Sequence, residues 1–119
     1  MTKGRHLILD LDGCDSLVLD DYELLAELME KAMYLAGANV LHIIGEKFQP
    51  QGVTLLALLS ESHSSIHTWP ELGYAAIDLY TCGNTTNTQK AADFLIEECK
   101  ATIINKKELV RTSCSTEQD

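Results

Sequence analysis

The sequence predicts an α+β fold, a two-layer sandwich in which one mainly antiparallel sheet carries two helices on one face. Three observations predict it. Residues 5–12 and 74–82 alternate apolar and polar side chains with the period of a half-buried strand. Leu25, Leu28, Met29, Ala32 and Ala36, and later Ala92, Leu95, Ile96 and Cys99, recur at helical spacing. Two runs rich in Val, Ile and Leu, at 39–48 and 52–60, flank the turn-like Gln-Pro-Gln-Gly, as antiparallel neighbours do.

In order along the chain, the first strand places Leu7, Leu9 and Leu11 on one side and His6, Ile8, Asp10 and Asp12 on the other. The first helix starts near Asp20, which with Glu23 makes an N-terminal capping signal, and stops at Gly37. The two apolar runs follow as a strand pair. Residues 63–69 are small and polar and end at Pro70, which disfavours a helix through Trp69, so the segment is expected to be extended or irregular. The alternating run at 74–82 is the next strand, the second helix begins near Thr88, and a last strand covers 102–110. Residues 1–111 are expected to form one domain and 112–119 a polar, frayed tail.

Composition narrows the function. With 45% hydrophobic and 23% charged residues the 119-residue chain is an ordinary globular sequence. Its net charge of -9 repels nucleic acid phosphates and attracts small cations. No apolar h-region follows the N-terminus and the longest apolar run, 55–59, is too short to span a bilayer, so a cytoplasmic, membrane-free protein is expected. Cys14, Cys82, Cys99 and Cys114 show no C-x-x-C spacing and read as reduced thiols. His63 and His67 stand four apart, a metal-binding spacing on a helix; Pro70 argues against a helix there, and no metal is expected.

The segments KFQPQGV at 47–53, SESH at 60–63, IHTWPELGYAAID at 66–78 and TCG at 81–83, supported by GRHLILDL at 4–11 and GCD at 13–15, closely resemble the prokaryotic S-adenosylmethionine decarboxylases. The resemblance covers nearly the whole chain apart from its tail. It implies a proenzyme that cuts itself between Glu61 and Ser62, giving a β chain of residues 1–61 and an α chain of 62–119. In that scheme the Ser62 hydroxyl attacks the preceding carbonyl, the peptide becomes an ester, and β-elimination leaves a pyruvoyl group at position 62. A serine is required because its oxygen is first the nucleophile and then part of the leaving group. The ketone forms a Schiff base with the substrate amine and accepts the electrons left as carbon dioxide departs, so no external cofactor is implied.

The same resemblance assigns other residues. His67 matches the histidine associated with proton transfer in processing, a task suited to an imidazole. Cys82 matches the cysteine proposed as proton donor in decarboxylation, and a thiol with a reference pKa of about 8.5 carries a proton at neutral pH. Phe48 matches the aromatic that stacks on adenine, and Glu71 the carboxylate that contacts ribose or helps hold the cationic substrate. Thr54 stands where relatives carry a serine that supports processing; it keeps the hydroxyl and adds a methyl that crowds the site. Leu55 replaces a usual glycine and Asp12 a common aromatic, which bear on pocket shape and charge.

Family members pair two sandwiches into a four-layer αββα homodimer in which both subunits line each active site. The implied reaction is decarboxylation of S-adenosylmethionine for spermidine biosynthesis. Two alternatives stay open: pyruvoyl-dependent decarboxylation of arginine or ornithine, and an unprocessed, non-catalytic homologue.

Overall fold

The computed structural model describes residues 3–60, 62–82 and 86–112. Six strands form one sheet: β1 (Lys3–Asp12), β2 (Val40–Lys47), β3 (Val53–Leu59), β4 (His63–Trp69), β5 (Tyr74–Cys82) and β6 (Ile103–Thr112). Their order across the sheet is β2-β3-β4-β5-β1-β6 and every neighbouring pair is antiparallel. Among the described residues there are also three helices, α1 (Ser16–Leu19), α2 (Tyr22–Ala36) and α3 (Thr88–Cys99). A 3-10 turn, Pro70–Leu72, links β4 to β5.

Strand alternation decides which side chains meet the helices. Leu7, Leu9 and Leu11 of β1, Val53, Leu55, Ala57 and Leu59 of β3, and Ala75, Ile77 and Leu79 of β5 are buried. They join Leu25, Met29, Ala32 and Met33 of α2 and Ala92 and Leu95 of α3 in one cluster. Each fully buried leucine contributes about 2 kcal/mol by leaving water. The other face carries His42, Ile44, Leu56, Leu58, His63, His67, Asp78 and Tyr80, and among the described residues no second layer covers it.

Two expectations change, and a third, the extended or irregular segment at 63–69, resolves to its extended alternative. Asp20 does not cap the long helix; Asp21 does, its Oδ1 accepting from the Leu24 N–H at 3.1 Å. Asp20 ends α1 instead, a single turn too short to show periodicity. Residues 63–69 form a regular interior strand, because β3 and β5 satisfy its backbone on both sides. Finally, Thr112 lies in β6, paired with Lys3, rather than in the tail. The rest of the tail, 113–119, lies outside the described residues.

At the end of α2, Gly37 adopts φ 82°, and the N–H groups of Gly37 and Ala38 return to Tyr34 O and Met33 O at 3.0 and 2.9 Å. That left-handed stop, which glycine adopts without a Cβ penalty, turns the chain into Asn39 and β2. It also sets the floor of a cavity at one end of the sheet.

Candidate active site

Ser62 closes the hairpin between β3 and β4. Its carbonyl accepts from the Leu59 N–H at 2.9 Å and its own N–H points back to Leu59 O at 3.5 Å. Glu61 itself lies outside the described residues. Ser60 is held from the β2 side, its N–H donating to Asn39 O at 3.0 Å and its Oγ accepting from Asn39 Nδ2 at 2.9 Å. Ser60 and Ser62 are therefore each held from the side of a neighbouring strand.

Ser62 Oγ is buried, and among the described residues it is the one buried side-chain oxygen or nitrogen without a hydrogen-bond partner. Leaving such a group unsatisfied costs about 1–3 kcal/mol, so it calls for a reason. The cavity it borders has a volume of about 160 Å³ and is also lined by Asn39, Thr81, Cys82 and Thr86. Thr86 donates to Thr81 Oγ1 at 3.0 Å, tying the approach to α3 onto the end of β5 beside Cys82. Ser62 and Cys82, distant in sequence, thus share one small cavity.

The other candidates gather at the opposite end of the same strands. Thr54 and His67 face each other across β3 and β4, with Thr54 Oγ1 3.1 Å from His67 Nδ1. The hydroxyl at position 54 therefore has the imidazole as its partner, and the methyl does not prevent it. Phe48 follows β2 and is 45% exposed; Glu71 lies in the 3-10 turn just after β4. Leu55 is fully buried on the helix face, so the residue replacing a usual glycine fills the core and leaves the open face unchanged. Asp12 ends β1 on the open face, within the electrostatic reach of Tyr74.

Sequence reasoning missed a neighbouring group. Trp69 stacks on Tyr74 with ring centroids 5.2 Å apart, and its ring lies 6.5 Å from His67. Tyr74 donates to Asp10 Oδ1 at 2.5 Å; that bond, with burial and the charges of Asp10, Asp12 and Asp78, pushes the phenol up to about 12. Reading 63–69 as a strand would have exposed this: Trp69 is two residues beyond His67, hence on the same face. Farther along that face His6 Nε2 donates to Asp78 Oδ1 at 3.0 Å, and Ser65 Oγ to Asp78 Oδ2 at 3.4 Å.

The remaining described cysteines stand apart from this chemistry. Burial, then the Asp12 charge, pushes the Cys14 thiol up to about 11. Burial, then Cys14 and Glu98, pushes Cys99 up to about 12. The described residues contain no group of three or more His, Cys, Asp or Glu side chains able to hold a metal ion. None of their helices is long and apolar enough to cross a membrane.

The family model for S-adenosylmethionine decarboxylase matches residues 5–112. The chain belongs to the S-adenosylmethionine decarboxylase family. Among its relatives, the S-adenosylmethionine decarboxylase proenzyme of Prochlorococcus marinus is 52% identical over 98 residues, covering 82% of this chain and 80% of the relative. The proenzyme of Caldanaerobacter subterraneus is 43% identical over 108 residues, 91% of this chain and 87% of the relative. The crystal structure of the adenosylmethionine decarboxylase from Aquifex aeolicus superposes with a TM-score of 0.89 at 36% identity, covering 99% of this chain and 98% of that one. The S-adenosylmethionine decarboxylase fold thus extends over every described element of the chain.

Proposed function

We propose that this chain is a proenzyme that cuts itself between Glu61 and Ser62 and then decarboxylates S-adenosylmethionine, the substrate in its relatives' names. The observation that carries the reading is the buried, unpartnered Ser62 Oγ, on a residue whose backbone is paired with Leu59. A hydroxyl that gives up its hydrogen bonds in the ground state is available to form a bond to carbon instead. Attack on the Glu61 carbonyl carbon moves the acyl group from nitrogen to oxygen. Loss of the Ser62 Cα proton then expels the Glu61 carboxylate and opens the chain, and the dehydroalanine left at position 62 tautomerises to an imine that water hydrolyses to the ketone with release of ammonia.

The residues present fit the pyruvoyl group that follows: position 62 is already in a cavity, and no other side chain occupies its hydrogen-bonding capacity. A ketone there supplies an electrophile for the substrate amine and a sink for the electron pair left by carbon dioxide. Cys82 holds a transferable proton in the same cavity, available to the carbon that loses the carboxylate. His67, oriented by Thr54, takes the proton during processing. Phe48 offers a face to the adenine, and Glu71 a carboxylate to the ribose or the positive charge. In this reading the protein works in the cytosol and supplies the aminopropyl donor for spermidine.

One chain does not bring these groups together. Ser62 and His67 are five strand positions apart, roughly 16 Å at the rise of a β-strand. A second copy completes the site in this reading. Laid on the open face about a twofold axis running between the sheets and across the strands, it sets the Ser62 end of one copy against the His67 end of the other. The exposed Ile44, Leu56 and Leu58 on that face, 58%, 47% and 55% accessible, give such a contact its apolar area.

Intact-mass analysis of purified protein tests the reading. Fresh wild-type protein yields two fragments, the C-terminal one blocked at position 62 and labelled when reduced with cyanoborohydride in the presence of S-adenosylmethionine. Ser62→Ala remains one chain. A wild-type protein that stays full length, or one that releases carbon dioxide from arginine or ornithine and none from S-adenosylmethionine, overturns it.

A further inference from the structure

We propose that Asp20 and Lys47 act as positioning residues that set substrate affinity by holding Phe48 from behind the sheet. The inference rests on the reading of Phe48 as the adenine-stacking residue and adds what keeps that ring in place. Phe48 opens the five-residue turn between β2 and β3, and its N–H donates to Gly52 O at 2.8 Å across the turn. Asp20 Oδ1, at the end of α1, accepts from the Gly52 N–H at 2.8 Å. The Lys47 ammonium lies 3.0 Å from that same oxygen and donates to Phe48 O at 3.0 Å. One carboxylate oxygen therefore reaches both shoulders of the turn, Gly52 directly and Phe48 through Lys47. Gly52, then Lys47, hold the Asp20 carboxyl below its ordinary range, so the anion is present throughout the neutral region.

The anchor is itself fixed. Leu19, next to Asp20, is fully buried, and its carbonyl accepts from Thr68 Oγ1 at 2.7 Å. The same hydroxyl accepts from the Val53 N–H at 2.9 Å, next to Gly52. Gly52 has φ 111°, a conformation that side chains rarely adopt, and a Cβ there would lie 3.8 Å from the Phe48 ring. The two shoulders of the turn, Phe48 and Gly52, are thus tied down through their backbone groups, while Phe48 remains 45% exposed. Lys47 pairs with the buried Val53, which puts its side chain on the helix side of the sheet. Asp20 and Lys47 therefore act on Phe48 through the backbone of the turn, without reaching a ligand on the open face.

The two residues carry opposite charges, which makes the test decisive. The substrate is a cation; if only the field mattered, Asp20→Asn would raise KM and Lys47→Met would lower it. Under the clasp both raise it. Steady-state decarboxylation by processed protein is expected to show KM up about tenfold in each variant with kcat within about twofold, the signature of lost positioning in binding. The double variant is expected to fall short of the product of the two single effects, because Asp20 and Lys47 share one contact besides their separate bonds to Gly52 and Phe48. Lys47→Arg, which keeps the charge and the donor, is expected to stay within about twofold of wild type. Intact mass is expected to show normal cleavage throughout, and Phe48→Leu serves as the reference. KM shifts of opposite sign overturn the proposal, as does a loss confined to kcat. A raised KM in Phe48→Leu with Asp20→Asn unchanged sinks the clasp alone; an unchanged KM in Phe48→Leu sinks the reading of Phe48 and the clasp with it.

Discussion

Under the proposed two-copy site, the separation of Ser62 and Cys82 from His67 along one sheet makes processing an event between copies, and that can be forced into the open. The perturbation is a pair of differently tagged chains made together, one carrying His67→Ala and the other Cys82→Ala. Each homodimer lacks one half of every site. In the heterodimer the two lesions fall together in one site, and the other site has Ser62 and Cys82 from the first chain and His67 and Thr54 from the second. The gap of roughly 16 Å between Ser62 and His67 within a chain is several times a hydrogen bond, so no side-chain rotation rescues a site internally. Random pairing makes half the dimers mixed with half their sites intact, so about a quarter of wild-type turnover per site returns. The sharper readout is mass: the chain that lacks His67 is cleaved, although alone it stays whole. If mixed dimers form and that chain remains uncut with no activity regained, the two-copy site is wrong. If His67→Ala alone is cleaved at the wild-type rate, the role given to His67 is wrong.

Two further predictions concern titration and reactivity. Tyr74 is held up to about 12 by its bond to Asp10, then by burial and nearby carboxylates; a phenol raised in the folded state binds its proton more tightly there than when unfolded. Its contribution to stability is therefore complete below pH 10 and lost as pH rises towards 12. Urea midpoints should show a loss over that window that is smaller in Tyr74→Phe; equal losses refute it. Cys14 and Cys99, raised to about 11 and 12, carry no more than about one thiolate in a thousand at pH 8. In a Cys114→Ser background iodoacetamide should label Cys82 and leave those two intact until the protein unfolds; modification of Cys99 in folded protein would contradict the burial.

Legibility in the sequence followed periodicity. β1 and β5 alternate strictly because one side faces the helices and the other stays open, so their faces were readable from Leu7, Leu9 and Leu11 or from Ala75, Ile77 and Leu79. β4 was harder. Its helix-facing positions are Ser64, Ile66 and Thr68, two of them polar, and both hydroxyls find partners no local pattern announces: Met29 Sδ at 3.2 Å and Leu19 O at 2.7 Å. Buried polar side chains satisfied by distant segments look like surface in a sequence. The cap was misassigned for a related reason, since Asp20 and Asp21 are chemically equivalent and only the turn of α1 before them decides which begins α2.

The site shows a different limit. Resemblance supplied the residues but not their arrangement, because a motif orders side chains along the chain and says nothing of the register that sets them across a sheet. Register does it here: Thr54 opposite His67 fixes Leu58 opposite His63, and Leu59 then closes on Ser62. A slip of one residue would turn Leu55 outward and bury Thr54 among leucines. The core therefore sets where these side chains sit. Burial of Val53, Leu55, Ala57 and Leu59 holds the register, and the register places the Thr54 hydroxyl on the imidazole at one end of the hairpin and the unpartnered Ser62 hydroxyl at the other.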